Sequence, residues 1–273
     1  MIDLFNGDAY AIIEGAFNID LSQKNDVNGR RLSMDFDIHH TDDSSPSTGT
    51  VTIYNLKEST RKQMETKDLK ISVFAGYKDF KMIGSGDIKD VVHTLRSATW
   101  ETKITIGDGK KTHDKTVFNR SYKEGIDIKS IVDEVTKSFE IPVRDITSAL
   151  GGATLGGLSL TGKSKDIMND LSQANEFDWS IIDGELLITD QNKDDGQSAI
   201  VANVNTGLIN TPQHTDKGVK FDMQLNPDVR PKRLVILETR SNSSSVLYRI
   251  GEAQFTGNNY GGRFDVRITA IKI

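Results

Sequence analysis

The sequence contains no cysteine among its 273 residues. This absence excludes disulfide bonds, thiol catalysis and thiolate metal sites, and it favours folding in a reducing cytoplasm. Long apolar runs are also missing. None approaches the ~18 residues that a membrane-spanning helix needs, so we expect no transmembrane helix. The first residues, Met1 to Phe5, lack the basic start and the apolar stretch of a signal peptide, and we expect none.

Positive charge is in the minority, with 34 Lys and Arg against 39 Asp and Glu and a net charge of -5. A sequence-wide basic patch for nucleic acid is therefore absent, and an acidic surface repels phosphate rather than capturing it. Apolar residues make up only 36% of the chain. This share suits several small domains, or an assembly subunit that presents polar faces to a lumen and to solvent.

Residues 1–115 have the pattern of β-strands. Leu32, Met34, Phe36 and Ile38 alternate with polar side chains, which is typical of a half-buried strand. Further strands are predicted at residues 51–54, 69–77, 80–88 and 99–106, with a short polar helix at 57–65. Because the strands follow one another over short links, we expect an antiparallel sandwich or barrel.

The middle of the chain, residues 116–193, is mixed. The apolar positions of one helix face recur at helical spacing: Ile128, Ile131, Val132, Val135 and Phe139. A second helix is predicted near Ser164, followed by a hairpin around Asp183-Gly184. Residues 194–273 return to strands. The expected fold is mainly β with an α+β insertion, in three regions: 1–115, 116–193 and 194–273.

An internal repeat is indicated by the two β regions. Gly86 follows the strand start Leu69 by 17 positions, and Gly251 follows Leu234 by the same number. The strands that begin at Trp100 and Phe264 both have the order aromatic, acid, β-branched, base, Ile, Thr. We therefore predict that Gly86, Trp100, Gly251 and Phe264 are structural repeat positions. The alternative is two unrelated antiparallel domains.

Several segments in order resemble a known family. The first region carries Val51-Thr-Ile-Tyr-Asn-Leu56, Val73-Phe-Ala-Gly-Tyr77 and Gly84-Ser-Gly-Asp-Ile88, and the last carries Tyr248-x-Ile250-Gly251. This order resembles the baseplate hub proteins of contractile-tailed bacteriophages, of the late control D type, and the hub part of type VI secretion spikes. Two departures are Phe264, where Trp is expected, and Asn258-Asn259, where Asp-Asn is common.

The resemblance implies a structural protein rather than an enzyme. It implies two tail-tube-like antiparallel β-barrels that flank a smaller mixed region. It also implies a homotrimer that joins the hexameric tail tube, or a tube-initiator protein, to the central trimeric spike and contacts other baseplate proteins. DNA would pass transiently through its lumen, without membrane insertion of the protein. The expected location is the virion baseplate, assembled in the bacterial cytoplasm.

One motif points to a different function. Gly157-Leu-Ser-Leu-Thr-Gly-Lys-Ser164 matches the phosphate-binding loop of nucleotide-binding proteins letter for letter. Such a loop should follow a buried parallel strand, whereas Leu158 and Leu160 alternate with polar residues. A short strand followed by a helix with Ser164 as its N-cap and Asp166 in its first turn is the simpler interpretation. A nucleotide-dependent enzyme remains the alternative function.

No other motif predicts a catalytic, cofactor or metal site. The segment Asp190 to Gly196 resembles a calcium loop, but its glycine falls one position late and Val201 stands where a glutamate is needed. The histidines at 39, 40, 93, 113 and 214 form no i, i+4 metal pair. Trp100 and Trp179 lie in apolar alternation, which favours core packing over sugar stacking. A carbohydrate-binding tail accessory protein is a further alternative to the baseplate hub.

Overall fold

The computed structural model describes residues 7–24, 29–42, 48–107, 116–145, 150–152, 154, 156–182, 184–191, 193–239 and 242–273. The fold is mainly β with few helices, as the sequence predicts. No helix in these ranges is long and apolar enough to cross a membrane. The predicted turn residue Asp183 and the residues His113 and Asn192 lie outside the described ranges.

The described part of the first region contains seven strands and one short helix. They are β1 Asp8–Glu14, β2 Ile19–Asp20, β3 Met34–Thr41, β4 Thr48–Tyr54, α1 Glu58–Met64, β5 Lys70–Gly76, β6 Lys81–Arg96 and β7 Thr99–Gly107. The predicted strands are present, but β6 continues to Arg96, well past the predicted end at residue 88. β1, which has no counterpart among the predictions, buries Ala9, Ala11 and Ile13 on one face.

Among its described residues, the middle region combines two helices with five strands. They are β8 Val117–Tyr122, α2 Ile128–Lys137, β9 Val143–Asp145, β10 Leu158–Lys163, α3 Ser164–Ala174, β11 Phe177–Ile182 and β12 Glu185–Asp190. The Asp127 carboxylate caps α2 by accepting from the Ser130 amide at 3.0 Å. The apolar face predicted for this helix is buried around Phe139 and Trp179, whose ring centroids lie 5.7 Å apart.

Six strands and a 3-10 helix are present where the structure describes the last region. They are β13 Ile200–Ala202, the 3-10 helix Val204–Thr206, β14 Gln213–Thr215, β15 Gly218–Gln224, β16 Leu234–Thr239, β17 Asn242–Asn258 and β18 Phe264–Lys272. As in β6, the length of β17 lets it pair with different strands along its course. It pairs with β16 through its first half, with β18 further on, and with β3 through its end.

The pairing of β3 with β17 joins the first and last regions into one 13-stranded sheet. Thr41 lies opposite Glu252, and the antiparallel ladder continues to Asp35 opposite Asn258. The described strands form an open sheet, with no closed barrel among them. The buried side chains of both regions form one apolar cluster, while those of the middle region form a second. Strands that are distant in sequence thus share one core.

Candidate functional site

The outward face of the sheet is a largely polar surface that runs across the β3–β17 junction. Along each strand, apolar side chains enter the core and the intervening ones face outward, with Val92 of β6 as an exposed apolar exception. We call the polar side chains of this outward set the polar face. It comprises Asp35, Asp37, His39, Thr50, Thr52, Asp90, Thr94, Glu101, Lys103, Thr105, Lys220, Asp222, Glu252, Gln254, Thr256, Asn258, Asp265, Arg267 and Thr269.

Side-chain hydrogen bonds between β3 and β17 link the two parts of the polar face across the junction. The Gln254 side-chain amide donates to the Asp37 carboxylate at 2.8 Å, and the Asn258 amide donates to Asp35. Asp35 also accepts from the Tyr54 hydroxyl. This hydrogen bond to the Asp35 carboxylate, together with partial burial, raises the pKa of Tyr54 to about 12. Asp35 therefore connects three strands of the junction.

The polar face is weakly acidic. Its carboxylates are Asp35, Asp37, Asp90, Glu101, Asp222, Glu252 and Asp265, and its bases are Lys103, Lys220 and Arg267. One base is already paired, since the Arg267 guanidinium donates to Asp222 at 2.9 Å, which raises the pKa of Arg267. Such a surface has excess negative charge and presents threonine hydroxyls and amides between the charges. It does not attract phosphate.

The two predicted aromatic repeat positions differ in their surroundings. Trp100 is only partly buried, and the Arg61 guanidinium lies 3.9 Å from its ring centroid. Phe264 is also partly buried and makes edge contacts with Phe36 and Tyr77, at centroid distances of 5.7 and 5.5 Å. By contrast, Trp179 is buried in the middle region. The prediction of core packing is confirmed for Trp179 and too strong for Trp100.

The two predicted glycines lie at different points of their ladders. Gly86 stands opposite Ile71, and a Cβ there would come within 2.9 Å of the Ile106 methyl group. Gly251 lies within the β17 bulge, between Ile250 and Glu252. A Cβ at Gly251 would meet its nearest neighbour at 3.6 Å, an ordinary van der Waals contact. Close packing thus requires a glycine at position 86 but not at 251.

The segment that resembles a phosphate-binding loop is a strand. Residues 158–163 form β10, which pairs antiparallel with β8. The prediction of a short strand that leads into a helix is confirmed. The prediction of Ser164 as N-cap is wrong: Lys163 is the N-cap, and the buried Ser164 hydroxyl accepts from Ser138 at 2.8 Å. Because its main chain is engaged in a ladder, this segment cannot wrap a phosphate as the motif requires.

The segment that resembles a calcium loop is closed by an ion pair. Lys193 donates to the Asp190 carboxylate at 2.6 Å. Within the described ranges, no group of three or more His, Asp or Glu side chains could hold a metal ion. The described histidines are dispersed: His40 is buried with its Nε2 2.7 Å from the Ile83 carbonyl, and His214 is exposed on β14. The polar face therefore remains the candidate site.

Comparison with known proteins bears on what such a face does. The sequence profile of the family described as baseplate hub gp41 matches residues 17–246. The chain belongs to this baseplate hub family. The match spans the first region, the middle region and most of the last one. It therefore gives the chain a structural role in a phage tail baseplate, as a component of the virion. A search of curated proteins finds no match.

Solved structures share the fold of this baseplate hub chain over almost its full length. The 43 kDa tail protein of prophage MuSo2 from Shewanella oneidensis is 9% identical, with a TM-score of 0.68 and 97% of both chains covered. The tail protein from Neisseria meningitidis MC58 is also 9% identical, with a TM-score of 0.65 and the same coverage. The c3393 protein of E. coli, a component of its type VI secretion system, is 10% identical. Its TM-score is 0.58, with 89% of this chain and 73% of that chain covered.

Proposed function

We propose that the protein is the subunit of a trimeric hub ring that joins the hexameric tail tube to the trimeric central spike. The polar face lines the channel of this ring. In this proposal residues 1–115 and 194–273 are two tube-like β units, and residues 116–193 form a separate middle region. The proposed role is purely structural, without enzymatic activity. The observation that carries the proposal is the shared strand order of the two β units.

The two units order their strands in the same way. In the first unit the order is β5, β6, β7, β4, β3, and in the second it is β16, β17, β18, β15, β14. All of these neighbours are antiparallel. The long strand of each order also carries a bulge at a similar point, between Ile88 and Asp90 in β6 and between Ile250 and Glu252 in β17. Unrelated antiparallel domains have no reason to share both features.

Superposing the two bulges gives a residue register for the repeat. Ile88 then corresponds to Ile250. Trp100 corresponds to Phe264, since each lies six positions before the closing-strand residue that pairs with that isoleucine. In this register Asp68 corresponds to Lys232, and these residues have positive φ angles of 65° and 68°. Bulky residues rarely adopt this conformation, so its recurrence supports the register.

The proposed register changes one sequence-based pair. It keeps Trp100 with Phe264, but it sets Gly251 beside Lys89, the extra residue of the β6 bulge, rather than beside Gly86. Gly86 then corresponds to Tyr248, which lies opposite Val235 as Gly86 lies opposite Ile71. If this register holds, the equal spacing of 17 residues in sequence arises by coincidence from two different ladders.

The symmetries of the tail tube and the spike explain why each chain would carry two similar β units. A hub between a hexameric tube and a trimeric spike must present six similar faces on one side and three on the other. Three chains with two units each supply both, and closed cyclic symmetry limits growth to one ring. The likeness to the E. coli c3393 protein supports this setting, since that protein is described as similar to the T4 tail proteins gp27 and gp5.

The charge of the polar face suits a channel for DNA. A basic lining would hold phosphates through released counterions and slow the passage of DNA. The excess of carboxylates over bases on the polar face would weakly repel the phosphates. We therefore expect DNA to slide past this surface without binding to it.

The stoichiometry of purified tail particles tests the proposal. Quantitative mass spectrometry with labelled peptide standards would count this protein against the tube protein and the spike protein. We expect three copies per particle, equal to the number of spike chains. Six or twelve copies would reject the trimeric hub and point to a tube or peripheral baseplate position.

A further inference from the structure

The second half of β6 has an edge that no described strand covers. β6 pairs with β5 only as far as Asp87, and residues 89–96 continue alone with β7 on their other side. The corresponding part of β17, from Glu252 to Asn258, lies between β18 and β3. The two long strands thus have the same pairing except for one missing neighbour along β6.

The direction of the main-chain groups shows which residues form this edge. In β17, Ile250 accepts from Lys232 at 2.7 Å and Gly251 accepts from Asp42 at 2.9 Å on one side, whereas Asn258 donates to Arg263 on the other. Since successive residues alternate, Ala253, Phe255 and Gly257 turn their main-chain groups toward β3. The corresponding residues of β6, which are Val91, His93 and Leu95, turn theirs toward the open edge.

Side chains along the open edge are unusually exposed. Val92 and Leu95 are 47% and 55% exposed, although both are large and apolar. His93 corresponds to Phe255, which is fully buried beneath the pairing with β3. The Nδ1 atom of His93 lies 3.0 Å from the Thr102 hydroxyl, but among the described residues its buried Nε2 has no partner. Soluble proteins protect such edges, because an unpaired edge templates pairing with another strand.

The strand that would supply the missing neighbour is β14. It corresponds to β3, because both form a hairpin with the next strand, β15 or β4. β3 alternates between buried residues and partly buried or exposed ones, whereas all three residues of β14 are exposed. In the described part of the chain, β14 pairs with β15 alone. Among the described strands of one copy, one edge of β14 and one edge of the second half of β6 thus both lack a neighbour.

We propose that β14 of one copy pairs with the second half of β6 in the next copy, as β3 pairs with β17 within each chain. This inference rests on the proposed function, since it specifies how the ring closes. The repeat fixes the register: His93 lies opposite His214, Val92 opposite Thr215 and Thr94 opposite Gln213. Pro212, which has no N–H group, ends the ladder at the other side of Gln213.

The faces of the two strands agree with this register. It sets Val92 and Thr94 on the same face as Thr215 and Gln213, so that the polar face continues from one copy to the next. The contact is head to tail, because each copy offers a β6 edge and a β14 edge that differ, and such contacts close into a ring when the rotation permits.

Disulfide trapping in assembled tail particles tests the register. The chain has no cysteine, so an introduced pair has no competing thiol. Val92 and Thr215 form a non-hydrogen-bonded pair in the proposed ladder, with an expected Cα separation of ~4.5 Å, within the range of a disulfide. Under mild oxidation, Val92→Cys/Thr215→Cys should give covalent trimers and almost no cross-linked monomer.

Two matched pairs serve as controls. His39→Cys/Gln254→Cys, the corresponding pair within one chain, should cross-link as a monomer whether or not the ring forms. Thr94→Cys/Thr215→Cys, displaced by two residues, should cross-link at least ten times more slowly. If the displaced pair cross-links as fast as the proposed one, or if neither links chains in particles that hold three copies, the edge pairing is wrong while the trimeric hub stands. A count other than three rejects the hub itself.

A main-chain variant gives an independent test. By alternation His214 turns its N–H group away from β15, so His214→Pro removes a donor that is free in the single chain but used in the ring. The variant should retain the melting temperature of the isolated protein and fail to enter particles, whereas His214→Ala should assemble normally. Normal assembly of His214→Pro would overturn the proposal even if the cysteine variants prove hard to incorporate.

Discussion

The two β units differ mainly in what surrounds them. In the second unit β17 is covered by β3, and the loop before β16 is held by the middle region and the first unit. Lys232 of this loop is 1% exposed and donates to Asp178 of the middle region at 3.1 Å. Arg249 of β17 lies 3.7 Å from Asp42 of the first unit. In the first unit the matching half of β6 is open and carries His93 where β17 carries Phe255. The same strand order therefore gives one unit completed within the chain and one whose edge is left for a neighbour.

The largest expected effect compares two corresponding positions. Phe255→Ala removes a fully buried ring that packs against His40 at a centroid distance of 5.9 Å. We expect it to lower the free energy of unfolding by about 3–5 kcal/mol. His93→Ala, at the corresponding place on the open edge, loses one hydrogen bond to Thr102 and should cost about 1 kcal/mol. Urea unfolding of the isolated protein measures both, and equal losses would contradict the contrast between a covered and an open edge.

An intermediate effect concerns the link between the second unit and the middle region. Burial lowers the pKa of Lys232, while the Asp178 carboxylate acts in the opposite direction. Asp178→Ala removes that partner and should lower the free energy of unfolding by roughly 2 kcal/mol. This loss is smaller than that from breaking a fully buried pair, because Asp178 is partly exposed.

The exposed pair Lys81–Asp228 provides the control for this link. Both of its side chains are open to solvent, at 54% and 41% exposure. Asp228→Ala should therefore change stability by less than about 1 kcal/mol. Thermal unfolding of both variants at one pH and salt concentration makes the comparison. If Asp178→Ala and Asp228→Ala lower stability equally, the Lys232–Asp178 pair does not stabilise the link between the second unit and the middle region.

The smallest expected effect is at the motif that resembles a phosphate-binding loop. Lys163→Ala replaces the exposed last residue of β10, which is the N-cap of α3, without removing a buried contact. Assembly into particles and infectivity should therefore be unchanged. Calorimetry with ATP and Mg²⁺ should detect no binding to either form. Micromolar binding that the substitution abolishes would instead support the nucleotide-dependent alternative.

Local patterns were sufficient to predict most elements of the fold. Apolar and polar residues alternate around Phe36, and apolar residues recur at helical spacing from Ile128 to Phe139. Each pattern arises from a single strand or helix that packs one face against a core. β1 was missed because two of its inward residues are alanines, which give only a weak apolar pattern in the sequence. Its position in the sheet depends on pairing with β5. The family resemblance pointed to the baseplate from short ordered motifs, and the family match agrees with it.

Features that depend on distant pairing could not be predicted. The ladder between β3 and β17 joins residues more than 200 positions apart, and no local pattern specifies that neighbour. The extension of β6 to Arg96 was hidden for a related reason. The residues of this extension, 89–96, show no clear alternation of burial. The polar face itself emerges only when outward residues of many strands are brought side by side.

A cryo-electron microscopy map of the assembled tail, reconstructed without imposed symmetry, would show directly whether this protein forms the hub ring. We expect three copies between tube and spike, with six β units related by near-sixfold rotation. The polar face lines the channel, and the sheet is continuous from β14 of one copy to β6 of the next. Six copies, a position away from the axis, or a polar face turned outward would contradict it.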